Sequence, residues 1–187
     1  MKKYQITEWC HHFIREHVNA GDLCIDATAG NGNNTLFLCE LVGEHGKVIA
    51  FDIQKEAVEN TKKRLQEHGA SKQAEVLLES HTNMSQYAEV DSVSCIVFNF
   101  GYLPGGDHAL ATKKDTSIAA IHEGLELLKK GGMMSLCIYS GGDSGFEERD
   151  AILAELKQLN PKKYLVVLSE YYNRPNNPPI PVMIIKL

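Results

Sequence analysis

The 187-residue chain predicts an α/β fold in a single domain, residues 1–187. The expected core is a seven-stranded, mostly parallel sheet with one antiparallel strand and helices on both faces. Three observations predict it. Short runs rich in β-branched and aromatic residues alternate with longer runs of helical periodicity, the pattern of strand–helix–strand units. A glycine turn, "AGNGNN", follows the first such strand and opens a helix, where ligands bind in open α/β sheets. The last two strands are separated only by "NRPNNPPI", too short for a helical crossover, so they must pair antiparallel.

Taken in order, Ile6 to Val18 read as a helix with Ile6, Trp9, Cys10, Phe13, Ile14 and His17 on one face. "DLCIDA" is the first strand, bounded by Gly21 and the glycine turn. Thr35 to Val42 is an apolar helix ended by "GEHG". "KVIAFDI" is the second strand and "EAVENTKKRLQEHG" the next helix, with Gly69 as its stop. "AEVLLES" and "SVSCIVFNF" are the third and fourth strands. Ser117 to Lys129 is helical, and a Gly-Gly pair leads into the fifth strand, "MMSLCIYS". "FEERDAILAELKQL" is the last helix; "YLVVLSEYY" and "PVMIIKL" close the sheet.

Composition narrows the function classes. Hydrophobic residues make up 43% and charged residues 23%, as in ordinary globular domains. No apolar run reaches the roughly 20 residues of a membrane span, and the N-terminus mixes charged and polar residues where a signal peptide would be apolar. A cytoplasmic protein with no membrane partner is expected. The five cysteines are scattered and without C-x-x-C spacing, which favours buried free thiols; no metal site is expected. A net charge of −5 argues against binding nucleic acid by bulk electrostatics, though Lys2 with Lys3, Lys113 with Lys114, Lys162 with Lys163, and Arg174 can form local patches.

The glycine turn has a definite chemistry. Gly30 and Gly32 permit positive φ and close approach of a ligand to the backbone. Asn33, Asn34 or Thr35 is placed to cap the following helix. A dinucleotide site would want G-x-G-x-x-G, but here the third glycine is missing and Asp26 precedes the turn. A strand-end carboxylate facing the crevice repels a pyrophosphate and suits a cationic ligand. S-adenosylmethionine, with a sulfonium, an ammonium and no phosphate, fits. Asp52, ending the second strand in "AFDIQ", is placed to accept hydrogen bonds from both ribose hydroxyls, with Ile53 against the adenine. Ser80 and His81, ending the third strand, reach the same crevice.

The fourth strand ends in "VFNFGYLPGGDH". Amine-directed methyltransferases carry a D/N-P-P-Y/F segment in this place, where an Asn or Asp and a backbone carbonyl accept from the target amine and an aromatic ring stacks on the base. "NFGY" has the Asn and the aromatic without the prolines. Asn99 is the expected orienting acceptor, Tyr102 the aromatic, and Asp107 or His108 the candidate proton relay.

Together, "DATAGNGNNTLFL", "FDIQ", "SHTNM", "NFGYLPGGDH", "LLKKGGMMSLCIYSGG" and "NNPP" resemble the bacterial putative rRNA methylase family of small class I S-adenosylmethionine-dependent methyltransferases. The likeness is greatest to its tRNA 5-aminomethyl-2-thiouridine methyltransferases. It implies a Rossmann-like class I fold, methylation of the aminomethyl nitrogen on a tRNA wobble uridine in the anticodon stem-loop, and a homodimer. Carried over, Asp26, Thr28, Gly30, Asn31, Gly32, Asn34, Thr35, Asp52, Ile53, Gln54, Ser80 and His81 line the cofactor. Asn99, Gly101, Tyr102 and Leu103 face the methyl and its acceptor. Tyr139, Ser140, Gly141 and the 173–179 loop border the substrate opening. His108 stands where relatives are expected to have lysine. The alternatives are a small-molecule N- or O-methyltransferase, a non-catalytic S-adenosylmethionine-binding protein, and, more distantly, a nicotinamide oxidoreductase.

Overall fold

The computed structural model describes residues 5–101, 112–140 and 142–187. In chain order the elements are α1 (Ile6–His17), β1 (Leu23–Asp26), α2 (Asn33–Val42), β2 (Lys47–Asp52), α3 (Lys55–Glu67), β3 (Ala74–Leu78), a 3-10 turn (His81–Gln86), β4 (Val93–Phe100), α4 (Lys114–Leu127), β5 (Leu128–Ile138), α5 (Gly142–Leu156), β6 (Tyr164–Leu168) and β7 (Ile180–Lys186). The seven strands form one sheet in the order β3-β2-β1-β4-β5-β7-β6. All neighbouring pairs are parallel except those made by β7, which runs antiparallel to β5 and β6. The expected architecture, including its single reversed strand, is present.

The two faces follow from the period-2 alternation of strand side chains. Ile25, Ile49, Ile96 and Phe98 point to the face covered by Ile121 and Leu125 of α4 and Ile152 and Leu156 of α5. Their neighbours Cys24, Val48, Cys95 and Val97 point the other way, against Cys10 and Ile14 of α1, Leu38 of α2 and Leu65 of α3. Burial on both sides explains why β4, "VSCIVFNF", is an almost unbroken apolar run. All five cysteines are free and buried.

Several boundaries differ from expectation for local reasons. On α1, Ile6, Cys10 and Ile14 are buried, whereas Trp9 is 40% exposed and packs edge-on against Phe13. A 100° step per residue puts positions 6, 10 and 14 at the centre of the apolar stripe and position 9 at its edge. β5 begins at Leu128, not Met133. "KKGG" lies within the strand, as a register shift between the Val93–Leu128 and Cys95–Met133 pairs. β6 stops at Leu168 because Pro181, next in register opposite Ser169, accepts Ser169 N–H at 2.9 Å but has no N–H to return. The 3-10 turn after β3 was not foreseen; Ser80 caps it by accepting Thr82 N–H at 3.2 Å.

Candidate active site

The carboxyl ends of β1, β2, β3, β4 and β5 surround one cavity of about 540 Å³. Of the sequence-predicted residues, Thr28, Gly30, Asn31, Asn34, Asp52, Ile53, Gln54, Ser80, His81, Asn99 and Gly101 line it. Tyr102, Leu103, Asp107 and His108 lie outside the described residues, as does Gly141.

The glycine turn forms one wall. Gly30 and Gly32 both have positive φ, 54° and 76°. A Cβ on Gly32 would lie 2.9 Å from the Thr61 Cα, so α3 packs where only glycine fits. Three α3 side chains hold the turn: Thr61 Oγ1 donates to the Gly30 carbonyl (3.1 Å), Arg64 Nε to the Asn31 carbonyl (2.6 Å), and Asn60 to the Asn31 side chain (3.2 Å). The expected side-chain cap of α2 is absent. Gly32 is the N-cap, the Thr35 hydroxyl points to Asp26, and Asn34 Oδ1 accepts from the His11 Nε2–H at 2.9 Å.

Asp26 requires a correction. It does not face the cavity; it is wholly buried behind the turn, accepting from Thr35 Oγ1 at 2.6 Å and Thr28 N–H at 3.2 Å. Its place in β1 puts it on the same face as Cys24, beneath the first turn of α2. Burial pushes its carboxyl up to about 6 despite those donors, with a further push from the charge of Asp52. Gly32 and Thr35 likewise support the turn without lining the cavity.

Asp52 stands where expected. Its two carboxylate oxygens accept Gly30 N–H and Gln54 N–H, both at 2.9 Å, tying the tip of β2 to the glycine turn. Each oxygen retains a lone pair for a ligand hydroxyl. Beside it Ile53 is 56% exposed, an apolar surface open to the cavity. Just beyond the tip of β3, Glu79 accepts from Ser80 N–H and the Asn83 amide, which hold its carboxyl below the usual range. Burial lowers the His81 imidazole, which stays neutral near pH 7. Its Nε2 is buried without a hydrogen-bond partner among the described residues. The ring meets Phe98 edge-on at 5.9 Å.

At the β4 end of the cavity, Asn99 N–H donates to Thr28 Oγ1 at 2.8 Å, fastening the tip of β4 to the turn after β1. Tyr139, Thr112, Lys113 and Thr116 complete this end, and Thr7 of α1 also lines the cavity. Sequence reasoning named Tyr139 at the opening but not Glu79, Thr7 or Thr112. Glu79 had a readable signal, an acid just beyond a strand tip like Asp52. Thr7 and Thr112 had none, because each comes from outside the strand-tip motifs.

The cavity fits the methyl donor that the resemblance implies. It offers a carboxylate to a diol, an exposed apolar surface to an aromatic ring, and an unpartnered imidazole nitrogen to a polar group. Among the described residues no helix is long and apolar enough to cross a membrane.

Residues 48–185 match the family described as "Putative rRNA methylase". A crystal structure of a putative rRNA methylase from Clostridium thermocellum is 42% identical, with a TM-score of 0.95 over 98% of each chain. A putative methyltransferase from Streptococcus mutans, solved in complex with SAH, is 35% identical, with a TM-score of 0.88 over 97% of each chain. A chloroplastic tRNA (mnm(5)s(2)U34)-methyltransferase from Arabidopsis thaliana is 35% identical over 181 residues, 92% of this chain. The chain spans 66% of that relative's length.

Proposed function

Because the chain belongs to the "Putative rRNA methylase" family and has the class I S-adenosylmethionine-dependent methyltransferase fold, we propose that it methylates the 5-aminomethyl nitrogen of 2-thiouridine at the wobble position of tRNA. S-adenosylmethionine is the cofactor of this fold and family. The observation that carries the reading is the meeting, in one cavity, of Asp52 and Ile53 with Asn99. The 35% identity to a tRNA methyltransferase supports the choice of acceptor.

In this reading Asp52 takes the ribose hydroxyls, Ile53 underlies the adenine, and Thr28, Gly30, Asn31, Gln54, Ser80 and His81 complete the donor side. When bound, S-adenosylmethionine would supply an electrophilic methyl that a nitrogen lone pair can attack in line, with the thioether sulfur as the leaving group. The chain's task is to present the acceptor amine neutral and aligned. Asn99 accepts an amine N–H through its carboxamide oxygen and so aims the lone pair. Its backbone is held by Thr28, so the side chain springs from a fixed point. The neutral His81 adds no positive charge that would oppose a cationic donor. Tyr139 and Lys113, at the rim, provide an aromatic face and a cation for the nucleotide.

The test is mass spectrometry of nucleosides from the tRNA of a strain lacking this gene, before and after incubation with protein and S-adenosylmethionine. Gain of one methyl on the wobble nucleoside is expected, and Asn99→Ala should abolish most of it. Unchanged tRNA alongside methylation of a small amine or hydroxyl compound would favour the small-molecule reading. We also propose a cytoplasmic homodimer. Free buried cysteines suit a reducing compartment, and Trp9 with Leu165 and Val167 of the edge strand β6 offers exposed apolar surface to a second copy. A monomeric mass by light scattering at micromolar protein would refute the dimer.

A further inference from the structure

Glu148 belongs to no motif in the sequence, yet it is a buried carboxylate beside the acceptor end of the cavity. On α5 it is 4% exposed. Its two oxygens accept from two hydroxyls: Ser117 Oγ of α4 at 2.6 Å and Thr112 Oγ1 at 3.0 Å. Among the described residues it has no ion-pair partner. A carboxylate held in the interior by hydroxyls, with no ion-pair partner among the described residues, is a costly arrangement, and apolar packing would be the cheaper way to join two helices.

What the arrangement does is fix a direction. Thr112 has one hydroxyl hydrogen. With that hydrogen given to Glu148, the oxygen lone pairs face the cavity wall, where Thr112 Oγ1 accepts Gly101 N–H at 2.9 Å. A second bond, Thr112 N–H to the Gly101 carbonyl at 3.1 Å, closes the pair. Gly101 is the second residue after Asn99. Its φ of 147° is open only to glycine, and a Cβ there would stand 3.1 Å from the Tyr139 Cβ. The backbone beyond Asn99 is thus pinned between Tyr139 on one side and Thr112 on the other.

We propose that Glu148 is a positioning residue for methyl transfer: through the Thr112 hydroxyl it sets the Gly101 backbone, and with it the acceptor wall that carries Asn99. This rests on the reading of Asn99 as the group that aims the amine. A displacement of that wall by a fraction of an ångström misaligns the lone pair without touching the donor half, which hangs on Asp52 and α3.

The experiment uses Glu148→Ala, Glu148→Gln, Thr112→Val and Thr112→Ser in the full chain. Exchange of the Gly101 amide with solvent is followed by NMR on protein labelled with 15N-glycine, beside donor affinity and kcat on tRNA. Glu148→Ala and Thr112→Val are expected to speed Gly101 exchange and lower kcat by about tenfold or more, with the KM for S-adenosylmethionine within about twofold of wild type. Glu148→Gln and Thr112→Ser, which keep an acceptor for Thr112 and a hydroxyl for Gly101, should recover most of both. If Glu148→Ala does not fold, Thr112→Val, which leaves the carboxylate in place, carries the test. Unchanged Gly101 exchange in Thr112→Val, or a kcat loss matched by loss of donor affinity, overturns the proposal. Wild-type protein that methylates no tRNA would instead refute the tRNA reading, while Gly101 exchange still judges Glu148.

Discussion

Replacing Asp26 with asparagine tests the most unexpected placement in the site. The carboxyl is wholly buried and held up to about 6 against an ordinary value of 3.8. The folded protein therefore binds this proton more tightly than the unfolded chain does, and the resulting stability has a definite sign. It is fully present below about pH 3.8 and is lost as pH rises through about 6. The gap between the two values corresponds to about 3 kcal/mol, or a fall of about 6–12 °C in Tm for a chain of this size. Other groups titrate in the same range, so the quantity to measure is the stability of wild type minus that of Asp26→Asn, which has no proton to exchange at this position. Urea or thermal unfolding of the ligand-free protein at intervals from pH 4 to pH 7.5 gives it. The difference should fall by about 2–3 kcal/mol across the window, leaving the variant relatively more stable at neutral pH. A difference that stays flat, or that rises with pH, refutes the placement of an ionisable Asp26 behind the turn. Saturating S-adenosylmethionine should shrink the fall, because a cation in the cavity favours the ionised carboxylate.

Other expectations follow from the same geometry. Asp52→Ala should remove most of the thermal shift produced by S-adenosylmethionine, weakening it by roughly tenfold to a hundredfold; an unchanged shift would take Asp52 out of the cofactor site. Ile53→Ser should weaken the donor by about tenfold while leaving the ligand-free Tm nearly unchanged, since the side chain is 56% exposed before anything covers it. Gly32→Ala should destabilise by about 2–4 kcal/mol, because its Cβ would meet the α3 backbone at a φ of 76°. Gly124→Ala should change stability by less than about 1 kcal/mol, because the nearest atom is the mobile end of Met134 and helix propensity favours alanine. Denaturation curves of the two variants would settle the contrast.

The donor half of the site was readable because its parts are local in sequence. A strand, two glycines and a helix start occupy one continuous stretch, and Asp52 ends the next strand. Asp26 was misplaced because the expectation considered where the strand ends and not which face position 26 occupies. Counting by twos from Cys24 puts it under α2, where Thr35 meets it. The acceptor half was less legible. Asn99 ends a strand and could be found, but Thr112 and Glu148 are 36 residues apart and meet only when α5 packs on α4. Trp9 shares the expected apolar face of α1 yet is 40% exposed, because periodicity identifies a stripe without marking its edges.

The two halves of the cavity are built by different means and joined at one place. On the donor side, the glycine turn is held from outside by Asn60, Thr61 and Arg64 and from within by Asp52. On the acceptor side, the backbone after Asn99 is held by Thr112 and Tyr139. Between them stands Thr28, on the donor turn, whose hydroxyl takes the N–H of Asn99 on the acceptor strand. An in-line displacement asks for little beyond alignment, and alignment between two bound groups is a property of the scaffold joining their sites. That scaffold here is the parallel pairing of β1 with β4, which sets Asp26 opposite Val97 and so brings the Thr28 hydroxyl and the Asn99 amide to the same level. In the proposed reaction, the register of two buried strands would thus set the distance between donor and acceptor. This is why a sheet with such apolar interior strands, fixed on both faces by helices, is a suitable base for a reaction that depends on geometry.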